Sequence, residues 1–235
     1  MSSSLSFPVA AVVPAAGVGR RFGGDLPKQY AMVAGATVME HTLSLLLTLP
    51  QLTHLVLVVA ADDERWREIA LTRDPRVLIV AGGAERCHSV RNGLQRLAET
   101  DAPPTVLVHD VARPCCPAAD IERLIRVAGP HPDGGLLALP VADTLKEAAA
   151  DKRSVRTVDR SRLWQAQTPQ LFDRTLLAAA LDQAFVDGTV VTDEAQAVEA
   201  LGRRPLLVEG SRRNLKITRA DDLALAAFYL GSGVA

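Results

Sequence analysis

The sequence predicts an α/β fold: a doubly wound, mostly parallel, Rossmann-like sheet flanked by helices, with a projecting β-hairpin arm. Three observations carry this prediction. Short runs that are apolar on both faces recur along the 235 residues, as strands covered by helices on each side require. Helical stretches separate those runs, so strand and helix alternate. The first run passes directly into a glycine-bearing loop, the position where open α/β sheets bind their ligands. The length fits a single domain over residues 1–235, with the arm at about 142–162.

The strands are expected, in order, at Val9–Pro14, Leu55–Ala60, Val77–Val80, Thr105–His109, Gly135–Leu139 and Leu206–Glu209. Between them, helices are expected at Thr37–Leu49, Asp63–Leu71, Arg86–Ala98 and Ala118–Val127. The first helix opens on Thr37 with Glu40 three residues later, the spelling of a capping box. The alternation breaks at 142–162, where a polar stretch carries two β-compatible pieces, Thr144–Glu147 and Ser154–Val158, around a polar centre. It reads as a hairpin projecting from the domain, either packed on another subunit or solvated. Helices at Arg174–Phe185 and Asp193–Leu201, a strand near Leu215–Thr218 and an amphipathic helix at Asp221–Leu230 complete the chain.

Composition narrows the class. Hydrophobic residues make up 48% of the chain and aromatics 4%, so a full core must be assembled from Ala, Val, Leu and Ile. The 26 basic and 27 acidic residues nearly cancel, without the basic excess of a general nucleic-acid binder. No apolar run reaches membrane-spanning length, and Met1 to Phe7 lacks the layout of a signal peptide. The three cysteines, Cys87, Cys115 and Cys116, form no C-x-x-C pair and read as free thiols with no assigned role. The expectation is a cytoplasmic protein with neither nucleic acid nor membrane as partner.

The most informative segment is Val13–Tyr30, VPAAGVGRRFGGDLPKQY. A strand enters a small-residue loop with Gly17 and Gly19, followed by Arg20, Arg21 and Lys28. Glycines let backbone N–H groups approach a phosphate, and the cations neutralise it. The dinucleotide fingerprint fails because Phe22 stands where its third glycine belongs. The P-loop fails because Lys28 lies between Pro27 and Gln29. What remains is a loop with Arg and Lys aimed at a polyphosphate.

P-A-A-G-x-G-R-R followed by P-K-Q-Y resembles the sugar-phosphate nucleotidyltransferases, and within them the 2-C-methyl-D-erythritol 4-phosphate cytidylyltransferase family. Seven further motifs follow in the family's order over nearly the whole chain: G-G-A-E-R-C-H-S-V at 82–90, V-H-D-V-A-R-P at 108–114, D-T-L-K at 143–146, T-V-D-R at 157–160, Q-T-P-Q at 167–170, V-T-D-E at 191–194 and N-L-K-I-T at 214–218. Cys87 and His88 stand where the family often has a small residue and an acid.

The resemblance implies transfer of CMP from CTP to a small sugar-alcohol phosphate with release of pyrophosphate, and it implies the site residues. Arg20, Lys28 and Lys216 stabilise the transition state. Pro14, Ala15, Ala16, Gly17, Gly19, Gly82, Gly83, Ser89 and Asp110 bind CTP. Asp110, ending a strand at the cleft, is the carboxylate for Mg²⁺ or another divalent cation. Arg113, Thr144, Arg160, Thr168 and Thr192 hold the acceptor, and His109 is structural. Thr144 and Arg160 flank the arm, so the resemblance implies a homodimer in which each arm serves its twin's site. Thr192 is also suited to a helix N-cap. A ribitol 5-phosphate cytidylyltransferase is the nearest rival; its relatives tend to carry L-A-G-G in the first loop, whereas this chain has P-A-A-G. A non-catalytic nucleotide-binding protein is the rival from another class, and it has no reason to keep Arg20, Lys28, Asp110 and Lys216 together.

Overall fold

The structure, a computed structural model, describes residues 7–17, 22 and 26–231. Its elements in chain order are β1 (Val9–Pro14), β2 (Met32–Val33), β3 (Ala36–Thr37), α1 (Val38–Leu47), β4 (Leu52–Val59), β5 (Val77–Ala81), α2 (Arg86–Ala98), β6 (Thr105–Val108), α3 (Ala118–Ala128), β7 (Gly135–Pro140), β8 (Leu145–Ala148), β9 (Ser154–Val158), β10 (Trp164–Asp173), α4 (Arg174–Val186), α5 (Glu194–Ala200), β11 (Leu206–Glu209) and α6 (Asp222–Gly231). Seven strands form the main sheet in the order β11-β7-β10-β6-β1-β4-β5. All pairings in it are parallel except those of β10, which runs antiparallel to both β6 and β7.

Both faces of the sheet are covered, as the apolar runs require. Along β1, Val9, Ala11 and Val13 point into one layer with Met39, Leu43 and Leu46 of α1 and Ile121 and Leu124 of α3. Ala10 and Val12 point into the other, with Val90, Leu94 and Leu97 of α2 and Leu177 and Leu181 of α4. The period-2 alternation of a strand thus feeds two cores from one short segment. α1 starts on the predicted capping box: the Thr37 hydroxyl accepts the Glu40 N–H and the Glu40 carboxylate accepts the Thr37 N–H. Such a cap contributes about 1 kcal/mol. Ahead of it, β2 and β3 turn through Ala34 (φ 46°) and Gly35 (φ 87°), two successive left-handed residues that match the twist of a tight hairpin.

The sheet reverses direction beside β1. The chain winds outward through β4 and β5, then returns to place β6 on β1's other side. The crevice beyond the carboxyl ends of β1 and β6 is a topological switch point, where α/β sheets take ligands.

Two expectations need correction, and one strand lies where none is expected. The helix at Asp63–Leu71 is two 3₁₀ turns, Arg65–Glu68 and Ala70–Arg73, broken at Ile69. Ile69 is buried in the core with extended backbone (ψ 110°), which no α-helix accommodates. The segment Leu215–Thr218 is no strand; the Ile217 N–H donates to the Ala112 carbonyl, and no ladder is built on that bond. The longest strand, β10, lies where no apolar run announces it. Its Pro169 fits a central position because pairing with β7 skips from Ala166 to Gln170, a bulge that frees the ladder of a donor there. The arm forms as read: β8 and β9 pair antiparallel, and their side chains are almost all exposed.

Candidate active site

Three chain segments meet at the switch point. The first is the exit of β1. The Ala15 N–H extends the ladder to the Val58 carbonyl, and buried Gln29 donates to the Ala15 carbonyl, so the start of the loop is fixed from both sides. Lys28, opening a 3₁₀ turn after Pro27, donates from Nζ to the Ile217 carbonyl at 2.9 Å. The second segment joins β5 to α2. A Cβ on Gly82 would sit 2.5 Å from the Ala16 Cβ and 2.8 Å from the Ser89 Oγ, so only glycine lets the two loops close up. The Ser89 hydroxyl accepts the Gly83 N–H at 3.1 Å and donates to the Glu85 carbonyl at 3.2 Å, shaping the loop. The third is the exit of β6, His109–Arg113, backed by the late segment 214–217.

Asp110 is the centre of the site. Its carboxylate takes Arg86 Nε at 2.8 Å on Oδ1 and Lys216 Nζ at 2.7 Å on Oδ2, with Arg113 Nε 3.9 Å away. Burial alone raises this carboxyl, but Arg86, Lys216 and Arg113 outweigh burial and hold it well below the usual carboxylate range. Arg86 also grips Glu194 with both terminal nitrogens, at 2.6 and 3.0 Å, a fork-on-fork pair. Burial opposes the charge of Arg86, yet the two carboxylates hold its pKa above the ordinary value. Glu194 is fully buried; burial holds its carboxyl above the ordinary carboxylate range, and Arg86 offsets part of that rise.

The backbone of Asp110 is fixed separately. Its N–H donates to the Thr168 hydroxyl at 3.0 Å. That hydroxyl pairs with His109 Nδ1 at 3.2 Å, while His109 Nε2 meets the Arg113 carbonyl at 3.2 Å. A carbonyl only accepts, so Nε2 carries the proton and Nδ1 accepts from Thr168. Burial pushes His109 down to about 4, so the ring is neutral and both its nitrogens are used. The side chain of Asn214 donates to the Thr168 carbonyl, and the Asn214 backbone carbonyl accepts from Arg113 Nη1 at 2.7 Å. Arg113 Nε is buried with no hydrogen-bond partner, a donor left for an anion.

One cleft is lined by Pro14, Ala15, Ala16, Gly17, Lys28, Gly83, Ser89, Asp110 and Lys216, which the sequence nominates, together with Gln29, Glu85 and Arg86. An adjoining cavity is lined by Arg113, Thr168 and Thr192 with Gln167, Gln170 and Asp193. Arg86, Asp110 and Lys216 belong to both.

The comparison with known proteins follows this geometry. The family model for 2-C-methyl-D-erythritol 4-phosphate cytidylyltransferase matches residues 9–232. Relatives of that name from Mannheimia succiniciproducens and Vibrio parahaemolyticus are each 48% identical, over 96% of this chain and 97% of the first, and over 98% of this chain and 98% of the second. The chain belongs to this family. The crystal structure of a 4-diphosphocytidyl-2C-methyl-D-erythritol synthase matches with TM-score 0.82 at 43% identity, over 97% of this chain and 100% of that one. The Francisella tularensis 2-C-methyl-D-erythritol 4-phosphate cytidylyltransferase matches with TM-score 0.82 at 33% identity, over 94% and 99%.

Some nominated residues line neither cavity, or lie outside the described residues. Gly19 and Arg20, with Arg21, lie outside the described residues. Gly82 supports the cleft from behind without lining it. Thr144 and Arg160 lie exposed at the two ends of the arm and line neither cavity. The N-cap of α5 is Asp193, which accepts the Gln196 N–H; Thr192 instead binds the Gln196 side-chain carbonyl. Sequence reasoning missed Arg86 and Glu194. Both stand inside quoted motifs, G-G-A-E-R and V-T-D-E, but a charge near a helix start ordinarily reads as a solvated one. Among the described residues no helix is long and apolar enough to cross a membrane.

Proposed function

We propose that the first cleft holds CTP, the adjoining cavity holds 2-C-methyl-D-erythritol 4-phosphate, and CMP passes between them at the Asp110 cluster. As a member of its family the chain is a cytidylyltransferase of isoprenoid biosynthesis. The carrying observation is that Arg86, Asp110 and Lys216 line both cavities, so donor and acceptor share one charged wall.

An acceptor phosphate oxygen attacks the α-phosphorus of CTP, and the bond to the β-phosphate oxygen breaks, releasing pyrophosphate. The nucleophile is ionised near neutral pH, so positioning and charge neutralisation suffice and no general base is required. Lys28 and Lys216 neutralise charge growing on the α-phosphate and the leaving group, and Arg20 takes the pyrophosphate portion. Arg113, whose buried Nε makes no hydrogen bond, receives the acceptor phosphate. Arg86 positions Asp110, and Thr168 and His109 fix its backbone. Thr192 faces the acceptor. The loop at Ala15–Gly17 and Gly83, with Ser89 holding it, supplies backbone groups for cytosine. The reading extends to a cytoplasmic homodimer in which Thr144 and Arg160 complete the twin's acceptor site.

Mg²⁺ fits this donor set. Such an ion takes one or two carboxylates and otherwise phosphates and water, and Asp110 is a carboxylate kept ionised at the boundary of the two cavities. When bound there, Mg²⁺ supplies Lewis-acid neutralisation of the triphosphate.

The test is pyrophosphate release with CTP and Mg²⁺, comparing methylerythritol 4-phosphate, ribitol 5-phosphate and no acceptor. Release with methylerythritol phosphate alone, falling about 10²–10³-fold in Lys28→Ala, is the expected result. Release with ribitol phosphate alone moves the acceptor; release with neither, from folded protein that binds CTP, overturns the reading.

A further inference from the structure

We infer a second metal site, for a borderline-soft divalent cation such as Zn²⁺, built by Glu85, Cys87 and His88 at the start of α2. Their donor atoms all lie within 4.8 Å of one another. Cys87 Sγ is 3.8 Å from Glu85 Oε2 and 3.9 Å from His88 Nδ1. Tetrahedral zinc, with bonds of about 2.3 Å to sulfur and about 2.0–2.2 Å to nitrogen and oxygen, has ligand-to-ligand edges of roughly 3.4–3.6 Å. The two sulfur edges therefore close by a few tenths of an ångström, and the exposed Glu85 side chain is free to swing the remainder.

The chemistry of the set selects the ion. One thiolate, one imidazole and one carboxylate suit zinc, and disfavour Mg²⁺, which wants oxygen alone. The His88 ring stacks on Phe185, centroids 4.5 Å apart and planes 11° from parallel, which fixes its orientation before metal arrives. Exposed Glu85 provides the entry side and leaves the fourth position to water, while Cys87 is buried at the back. Burial holds the thiol protonated, so binding breaks its S–H bond, forms the S–metal bond and releases the proton to solvent. Cytidylyl transfer uses none of these three donor atoms, although Glu85 lines the CTP cleft and ties the second site to it.

The experiment uses the full chain, stripped of metal, with Co²⁺ alone as probe and no nucleotide, so the readout is independent of transferase activity. One Co²⁺ per chain is expected, with thiolate-to-cobalt charge-transfer absorption and the visible bands of tetrahedral cobalt, all displaced by one equivalent of Zn²⁺. Cys87→Ser is expected to lose the charge-transfer absorption, and the more exposed His88→Ala to weaken uptake by about tenfold or more. Each variant's fold is checked by circular dichroism. The inference is overturned if the native chain gives no charge-transfer absorption. It is equally overturned if that absorption persists in Cys87→Ser, which moves the thiolate to Cys115 or Cys116, or if His88→Ala binds Co²⁺ unchanged.

Discussion

Asp110 in the cleft and Arg160 at the base of the arm are both nominated to handle phosphate chemistry, yet the chain treats them differently. Asp110 has Arg86 and Lys216 on its two carboxylate oxygens and Thr168 on its backbone N–H. The arm that leads to Arg160 is exposed on nearly every residue of β8 and β9, and its ion pairs, Arg156 with Glu147 and Arg153 with Asp151, are open to solvent. The cleft is therefore fixed by this chain's own packing. The arm's geometry comes from its hairpin ladder and solvent-exposed side-chain pairs, and a precise role for its ends calls for a second surface.

Breaking the cleft's network produces the largest expected effect. Arg86→Ala leaves Glu194 buried without its partner and lets the Asp110 carboxylate turn, so stability falls by about 3–5 kcal/mol and kcat falls with it. Adding Glu194→Leu removes the stranded charge. The double variant is expected to regain much of its resistance to urea while kcat stays low, which separates the stabilising role of Arg86 from its positioning of Asp110. Recovery of both together would make Arg86 purely structural.

The cleft should also report on pH. His109 ordinarily titrates near 6.5 when unfolded and is pushed down to about 4 in the fold. The unfolded chain therefore binds the extra proton first. The stabilisation is complete above pH 6.5, is lost as pH falls towards 4, and amounts to about 3 kcal/mol. Urea unfolding at a series of pH values checks this, and His109→Gln is expected to flatten the slope in that window.

The sheet was legible because apolar runs and capping residues are local signals. Val9–Pro14, Arg86–Ala98 and Leu206–Glu209 form as read. β10 was not, because Gln167, Thr168 and Gln170 are buried through hydrogen bonds that the fold alone supplies. The cleft divides in the same way. Lys28, Asp110 and Lys216 are readable from motifs, whereas the bridge from Arg86 to Glu194 spans 108 residues and exists only once α2 and α5 have packed. Thr168 lines the adjoining cavity, and its hydroxyl also holds Asp110 and His109, a tertiary fact no spacing encodes.

The arm's contribution is sharpened by complementation. Arg160→Ala is expected to lose roughly tenfold to hundredfold in activity with unfolding unchanged, since the side chain is exposed and supports no packing. Mixing it with Lys28→Ala in a refolded population then discriminates the two settings for the arm. If each arm serves its twin, a mixed dimer has one site with intact Lys28 facing an intact arm, and activity returns. If Arg160 serves its own chain, no combination of the two variants restores anything.

The smallest effect belongs to an ion pair of the arm, Arg156 with Glu147, and it completes the contrast with Arg86. Arg156 and Glu147 have exposed side chains, so water screens the pair and ordering two long side chains offsets most of the attraction. Arg156→Ala should change stability by less than about 1 kcal/mol and leave transfer activity within error. A larger loss of activity than of stability would place Arg156 against a second surface, and would extend the arm's role from its two ends to its whole length.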